Sequence, residues 1–134
     1  MGQQQLLLII LGVIVVGIAV IVGITMFQDN AISANRDAVV NDLVNLGARA
    51  QQYYRRPVSL GGGGNSFVGI TADAAGLAKL SSQPSNSNGT FSILTAGDAN
   101  QVVVRGIGVE KLNNLNVEVT CTVTSDSLTT VVVH

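Results

Sequence analysis

Residues 6–27 read LLLIILGVIVVGIAVIVGITMF and contain no charged side chain. Leu, Ile, Val and Phe make up most of this stretch. At about 1.5 Å per residue, a helix of this length spans about 33 Å, close to the roughly 30 Å of a bilayer's hydrocarbon core. A strand would not continue this far without polar punctuation. The stretch therefore predicts a helix that is apolar on every side and long enough to cross a membrane.

Other N-terminal signals fit this stretch poorly. A cleaved secretory signal has a basic start, a shorter apolar run and a small-residue cleavage site. The sequence MGQQQ before residue 6 is not basic, and ITMFQDN offers no A-x-A pattern. Leu6 also stands where N-myristoylation needs Ser or Thr. We therefore expect an apolar helix that remains part of the chain.

The helical pattern continues beyond residue 27, but on one side only. Apolar residues recur there at spacings of three, four or seven, which indicates a single apolar stripe. Pro57 ends the pattern, and Arg55 and Arg56 suit the C-terminal end of the helix dipole. We predict one helix over about the first 55 residues, about 80 Å long. The stripe consists of Ile32, Val39, Leu43, Leu46, Ala50 and Tyr53.

The remainder predicts a small sheet. The run Gly61–Gly64 favours a flexible linker, because a phosphate-binding loop needs a preceding strand, a following helix and usually GKS or GKT. Residues 71–80 predict a short helix or turn. Four segments have the alternating or β-branched pattern of strands. They read TFSILTA, NQVVVRGIGV, NVEVTCTV and SLTTVVV.

Asn88 carries two alternative interpretations. Asn88-Gly89 is a tight-turn signal, which we favour. Asn88-Gly89-Thr90 is also an N-glycosylation acceptor pattern, so Asn88 is a candidate glycosylation site.

These elements predict an α+β fold, in which a long N-terminal helix packs on a small antiparallel sheet of about four strands. We divide the chain into an apolar half-helix (1–27), an amphipathic half-helix (28–56), a glycine-rich linker (57–66) and a small globular β domain (67–134).

No catalytic constellation appears. The lone cysteine, Cys121, lies in the predicted strand VEVTCTV, and we expect it to be a small buried hydrophobe. His134, the single histidine, is the last residue. The eight acidic residues show no metal-ligand or acid–base spacing. Net charge is −1, which gives no electrostatic attraction to nucleic acid. We expect a non-enzymatic protein without cofactor, metal or nucleic-acid contact.

This order of elements resembles bacterial type IV pilins and the related pseudopilins. The order of elements resembles the family over the whole chain, whereas the sequence motif resembles it over residues 1–27. It implies a subunit that waits in the inner membrane, and that the pilus assembly machinery then moves into an extracellular helical filament of identical subunits. Such a pilus (fimbrium) serves adhesion, motility or surface interaction.

The resemblance also implies roles for residues. A prepilin peptidase removes a basic leader, and the first mature residue, here Met1, is N-methylated. Met1 and Gln5 would make the polar contact between subunits. The glycines Gly12, Gly17 and Gly23 would be places where the helix loosens. The filament core would include Leu6, Leu7, Ile10, Val13, Ile14, Ile18, Ile21 and Phe27.

The chain departs from the family at position 5, where the family has glutamate and this chain has Gln5. Glutamine accepts a hydrogen bond but does not neutralise a neighbour's ammonium group. The family's helix prolines and its C-terminal disulfide are also missing. Two alternatives stay open: a minor pseudopilin of a type II secretion system, and a single-pass, membrane-tethered binding domain that does not polymerise. A start at an initiator Met1 also stays open.

Overall fold

A computed structural model describes residues 2–133. Its dominant element is α1, one unbroken helix from Gly2 to Arg55, as the sequence predicts. A 3-10 helix (Val58–Leu60) and a short helix α2 (Ala74–Ala78) follow. Five strands then complete the described chain: β1 (Ser85–Asn86), β2 (Gly89–Thr95), β3 (Gln101–Leu112), β4 (Leu115–Thr124) and β5 (Leu128–Val132).

The strands form one antiparallel sheet in the order β1-β2-β3-β4-β5, so each strand pairs with its neighbours in sequence. The predicted α+β class is confirmed. The predicted strand count is one short, because β1 is a fifth strand formed by Ser85 and Asn86. Serine and asparagine lack β propensity, and only pairing with Thr90 and Gly89 makes this dipeptide a strand.

Asparagines shape two turns of the sheet. Asn113 and Asn114, between β3 and β4, have φ angles of 52° and 66°. Two successive residues with positive φ form the backbone of a type I′ hairpin turn. The turn expected at Asn88-Gly89 exists, but it is centred on residues 87 and 88, and Gly89 begins β2. The side-chain carbonyl of Asn86 accepts the backbone N–H groups of Asn88 (2.8 Å) and Gly89 (3.2 Å), which makes this an Asx-type turn.

The core lies between the second half of α1 and the sheet. All six residues of the predicted stripe are buried, together with Asn35 and Gly47, which the stripe omitted. A methyl group at Gly47 would lie 3.3 Å from Cγ2 of Val123 and would collide with Leu128. The absence of a side chain there therefore lets helix and sheet approach closely. The buried strand residues include Val102, Val104, Val117, Val119, Cys121 and Val123, so the expected burial of Cys121 is confirmed.

The glycine-rich segment folds back over the C-terminal end of α1. The backbone N–H of Gly63 donates to the carbonyl of Tyr53 (2.8 Å), and that of Asn65 donates to the carbonyl of Tyr54 (2.7 Å). The amide of Gly64 donates to the carbonyl of Arg56 (3.0 Å). These bonds satisfy carbonyl groups that have no partner within a helix. The segment predicted as a linker thus makes an ordered cap.

We expect Gly63→Ala to lower the free energy of unfolding by about 1–3 kcal/mol, because overpacking forces the backbone to move. A Cβ at Gly63 would collide with the carbonyl oxygen of Ser66 and lie 2.9 Å from Cε1 of Tyr53. Urea unfolding in mild detergent, followed by circular dichroism, measures the effect. Ser59→Ala, at an exposed position of the same loop, is the control. Equal unfolding midpoints for the two variants would contradict the close packing.

Candidate functional site: the exposed half of helix α1

The first half of α1 has no covering partner within the described chain. The large apolar side chains from Leu6 to Phe27 are each between 49% and 79% exposed. They surround the whole circumference of the helix, whereas the second half buries one face on the sheet. Exposed apolar surfaces of this extent mark contact with a membrane or with other proteins. We call residues 6–27 the apolar half, and residues 32–133 the head.

The chemistry of the apolar half suits a water-free environment. Every backbone group inside a helix pairs within the helix, which is the condition for crossing hydrocarbon. Thr25 carries the single side-chain hydroxyl of the apolar half, and it donates to the carbonyl of Ile21 (3.0 Å). Among the described residues, α1 is the one helix long and apolar enough to cross a membrane.

Asn35 joins α1 to the sheet where the head begins. Its side-chain Nδ2 donates to the backbone carbonyl of Asn88 (2.7 Å). Its Oδ1 accepts the backbone N–H of Glu110 (3.2 Å). Asn35 is 8% exposed. One buried amide therefore holds both the β1–β2 turn and the irregular part of β3.

A second polar contact lies about two turns further along α1. The carboxylate Oδ2 of Asp42 accepts the side-chain Nδ2 groups of Asn86 and Asn88, both at 3.0 Å. The Nδ2 of Asn88 is also the atom that N-glycosylation would modify. Its hydrogen bond favours the turn interpretation of Asn88, and glycosylation stays a prediction.

The residues predicted for assembly lie on one helix and are not brought against other described parts of the chain. Gln5 is exposed in the first turns of α1. Met1 lies outside the described residues. Nothing within 4 Å surrounds the Cβ positions of Gly12, Gly17 and Gly23. The predicted filament-core residues are all exposed on the apolar half. Their roles in assembly and helix loosening stay predictions, since those contacts would form between copies.

In the head, three titratable side chains have pKa values that burial or hydrogen bonding shifts. Within residues 2–133, no group of three or more His, Cys, Asp or Glu residues is placed to hold a metal ion. Burial raises the pKa of the Cys121 thiol, which makes the reactive thiolate scarce. Backbone N–H groups of Asn100 and Gln101, each 2.7 Å from Oδ1 of Asp98, lower the pKa of that carboxyl. A hydrogen bond from the Thr71 hydroxyl, then one from the Gly76 backbone, lower the pKa of Asp73.

These two carboxylates predict an acid-sensitive head. A carboxyl with a depressed folded-state pKa stabilises the fold above its unfolded pKa, and this contribution is lost as the pH falls through the folded value. We therefore expect constant urea stability between about pH 5 and pH 8 and a decline below about pH 4. The double variant Asp73→Ala/Asp98→Ala should show a smaller decline. An equal decline in both proteins would show that other groups cause the acid sensitivity.

A long N-terminal helix, exposed and apolar in its first half and packed on an antiparallel sheet by its second, is a pilin-like architecture. Comparison with known proteins finds no matching family model, no similar curated protein and no similar solved structure.

Proposed function

We propose that the chain is a structural, non-enzymatic subunit of the type IV pilin kind, which polymerises through α1 into an extracellular filament for adhesion, motility or surface interaction. The observation that carries the proposal is the apolar half, exposed on all sides, on a head that has its own core. Such a helix needs an apolar phase around it. The bilayer supplies this phase before assembly, and the apolar halves of other subunits supply it in the filament.

The continuity of α1 favours a polymer over a simple tether. The 54 residues of α1 run without a break from the apolar half into the head. A tether needs no fixed geometry between anchor and domain. Subunits that repeat along a helical filament do need it, because each copy must present the same two surfaces in the same relative orientation. A rigid helix shared by both parts meets that need.

The proposal assigns the polar contact between subunits to Gln5 and Met1. The side-chain carbonyl of Gln5 would accept a hydrogen bond from the ammonium group of a neighbouring N-terminus, without neutralising its charge. A neutral amide is less costly to bury than a carboxylate. The partners are identical subunits, the inner membrane before assembly, the pilus assembly machinery and the prepilin peptidase.

The test is the mass of the N-terminal peptide, together with electron microscopy of material sheared from intact cells. Filaments of this chain, with a peptide that begins at Met1 and carries one extra methyl group, would support the proposal. An unmethylated initiator Met1, or a start at Gly2, with no filaments would favour the tethered domain.

The pseudopilin alternative shares the architecture and is separated by abundance. A pilin that forms long surface filaments is a major component of the sheared fraction. A minor pseudopilin of a type II secretion system stays with the cell envelope. Finding the methylated chain in the envelope alone would therefore favour the pseudopilin.

A further inference from the structure

The β3–β4 hairpin points along α1 toward the apolar half. A methyl group on Gly106 would lie 2.7 Å from Cγ1 of Val39, and one on Gly108 would collide with the side chain of Asn35. Moving forward two residues along β3, from Gly106 to Gly108, covers about 6.6 Å. The facing residue on α1 meanwhile moves back four positions, from Val39 to Asn35, which covers about 6 Å. Strand β3 therefore descends along α1 toward the end of the helix that carries the apolar half.

The hairpin ends close to the level of Phe27. The backbone of Glu110 is bonded to Asn35. At about 1.5 Å per helix residue, Asn35 lies about 12 Å above Phe27 along the helix axis. From Glu110 to the turn at Asn113 the strand covers about 10 Å. The turn therefore lies within a few ångströms of the level at which the apolar half ends.

The hairpin tip carries two exposed leucines. Leu112 and Leu115 pair directly across the hairpin and are 43% and 52% exposed. Leu115 lies two residues before the buried Val117, so alternation places it on the sheet face that α1 covers further up. Below Ile32, α1 buries no described residue against the head, and the leucine pair stays about half exposed there.

We propose that, while the apolar half spans the bilayer, the hairpin tip 112–115 rests in the interfacial layer of the same membrane. Headgroup regions add several ångströms on each side of the hydrocarbon core, and apolar side chains penetrate this layer. With Phe27 at the hydrocarbon edge, the tip lies in that layer. Within that layer the Leu112 and Leu115 side chains bury apolar surface, and the Asn113 and Asn114 amides form hydrogen bonds with headgroups. The proposal rests on the membrane-bound stage of the proposed function.

The contact is apolar and does not depend on lipid charge. The charged residues beside the tip, Glu110 and Lys111, are exposed and of opposite sign. They leave no net charge to attract anionic headgroups. Vesicles of zwitterionic phosphatidylcholine are therefore a sufficient partner, and added salt should leave the contact unchanged.

The protein contains no tryptophan, so an introduced indole is a unique probe. The full chain carrying Leu115→Trp is placed in phosphatidylcholine vesicles and floated to remove unbound protein. We expect blue-shifted emission and loss of most of that emission with lipids brominated near the top of the acyl chains.

Val58→Trp is the matched control for Leu115→Trp. Val58 is 71% exposed. It follows the far end of α1, which ends at Arg55. At about 1.5 Å per residue, that end lies about 42 Å from Phe27 along the helix axis. The control indole should therefore stay in water and give unshifted, unquenched emission in the same floated vesicles.

Each outcome decides a separate point. Water-like, unquenched emission from Leu115→Trp in floated vesicles contradicts the tip contact alone. Emission that shifts only after filaments form would show that a second copy covers the tip, and would also overturn the proposal. Failure to float contradicts the membrane stage as well, whereas missing surface filaments contradict polymerisation alone. If Leu115→Trp unfolds the head, Leu112→Trp repeats the measurement at the paired position.

Discussion

Replacing Ile14 with aspartate is expected to remove this chain from the sheared filament fraction. Ile14 lies near the middle of the apolar half and is 53% exposed, so its side chain contacts whatever surrounds that half. An aspartate at the centre of a membrane helix costs about 2.5–3.5 kcal/mol, and the lost isoleucine favoured insertion by about 0.3–0.6 kcal/mol. Together these two effects lower the equilibrium constant for burying the helix in an apolar phase by a few hundredfold.

Val58→Asp is the matched control for Ile14→Asp. Val58 is also an exposed β-branched residue, but it lies in the loop of the head beyond α1. We expect Val58→Asp to leave filaments and membrane association intact. Electron microscopy and immunoblots of sheared, membrane and soluble fractions compare the two variants. Normal filaments from Ile14→Asp would contradict a dry filament core built from the apolar half.

The parts of the fold that the sequence predicted are those encoded by local patterns. The apolar half is visible as a long run without a charged residue, and the second half as a stripe of period near 3.6. Both patterns continue into one helix, as the structure shows. Alternation and β-branched residues likewise marked β2 to β5. These signals are local because the run of apolar residues and the spacing of the buried residues lie within each element's own sequence.

The parts that escaped prediction depend on contacts distant in sequence. Ser85 and Asn86 become a strand through pairing with β2, and the glycine run becomes a cap by closing on the end of α1. Between Ile107 and Lys111, three residues of β3 face Val117 of β4, and no local pattern announces this bulge. The proposed contacts between subunits are harder still to predict, because one chain does not contain them.

The burial of Asn35 was not predicted, although the sequence contains a signal for it. It lies three residues after Ile32 and four before Val39, so it falls on the apolar stripe. A polar side chain on a buried stripe needs partners, because burial without them is costly. The stripe alone does not identify those partners. They are the carbonyl of Asn88 and the amide of Glu110, 53 and 75 residues away.

Asn41→Ala provides the baseline for a test of Asn35. Asn41 lies on the same helix and is exposed, and it faces away from the buried stripe. A surface substitution of this kind changes stability by about 0.5 kcal/mol or less. The same amide-to-methyl change is thus made at one buried and one exposed position of α1, with equal effects on helix propensity.

We expect Asn35→Ala to lower the free energy of unfolding of the head by about 1–3 kcal/mol, because alanine leaves the Glu110 N–H without its side-chain partner and an unpaired group costs about that much. The Asn88 carbonyl also loses the Asn35 amide, but it keeps its hydrogen bond from the backbone N–H of Val109 (3.2 Å). Urea unfolding in mild detergent measures the total. Hydrogen exchange shows where stability is lost. The backbone amide of Glu110 should exchange faster, while the core amides of β4 should keep their order of exchange rates. If Asn35→Ala matched Asn41→Ala in both measurements, the amide would not hold helix and sheet together. The position of the hairpin tip beside the apolar half would then rest on the glycine contacts of β3 alone.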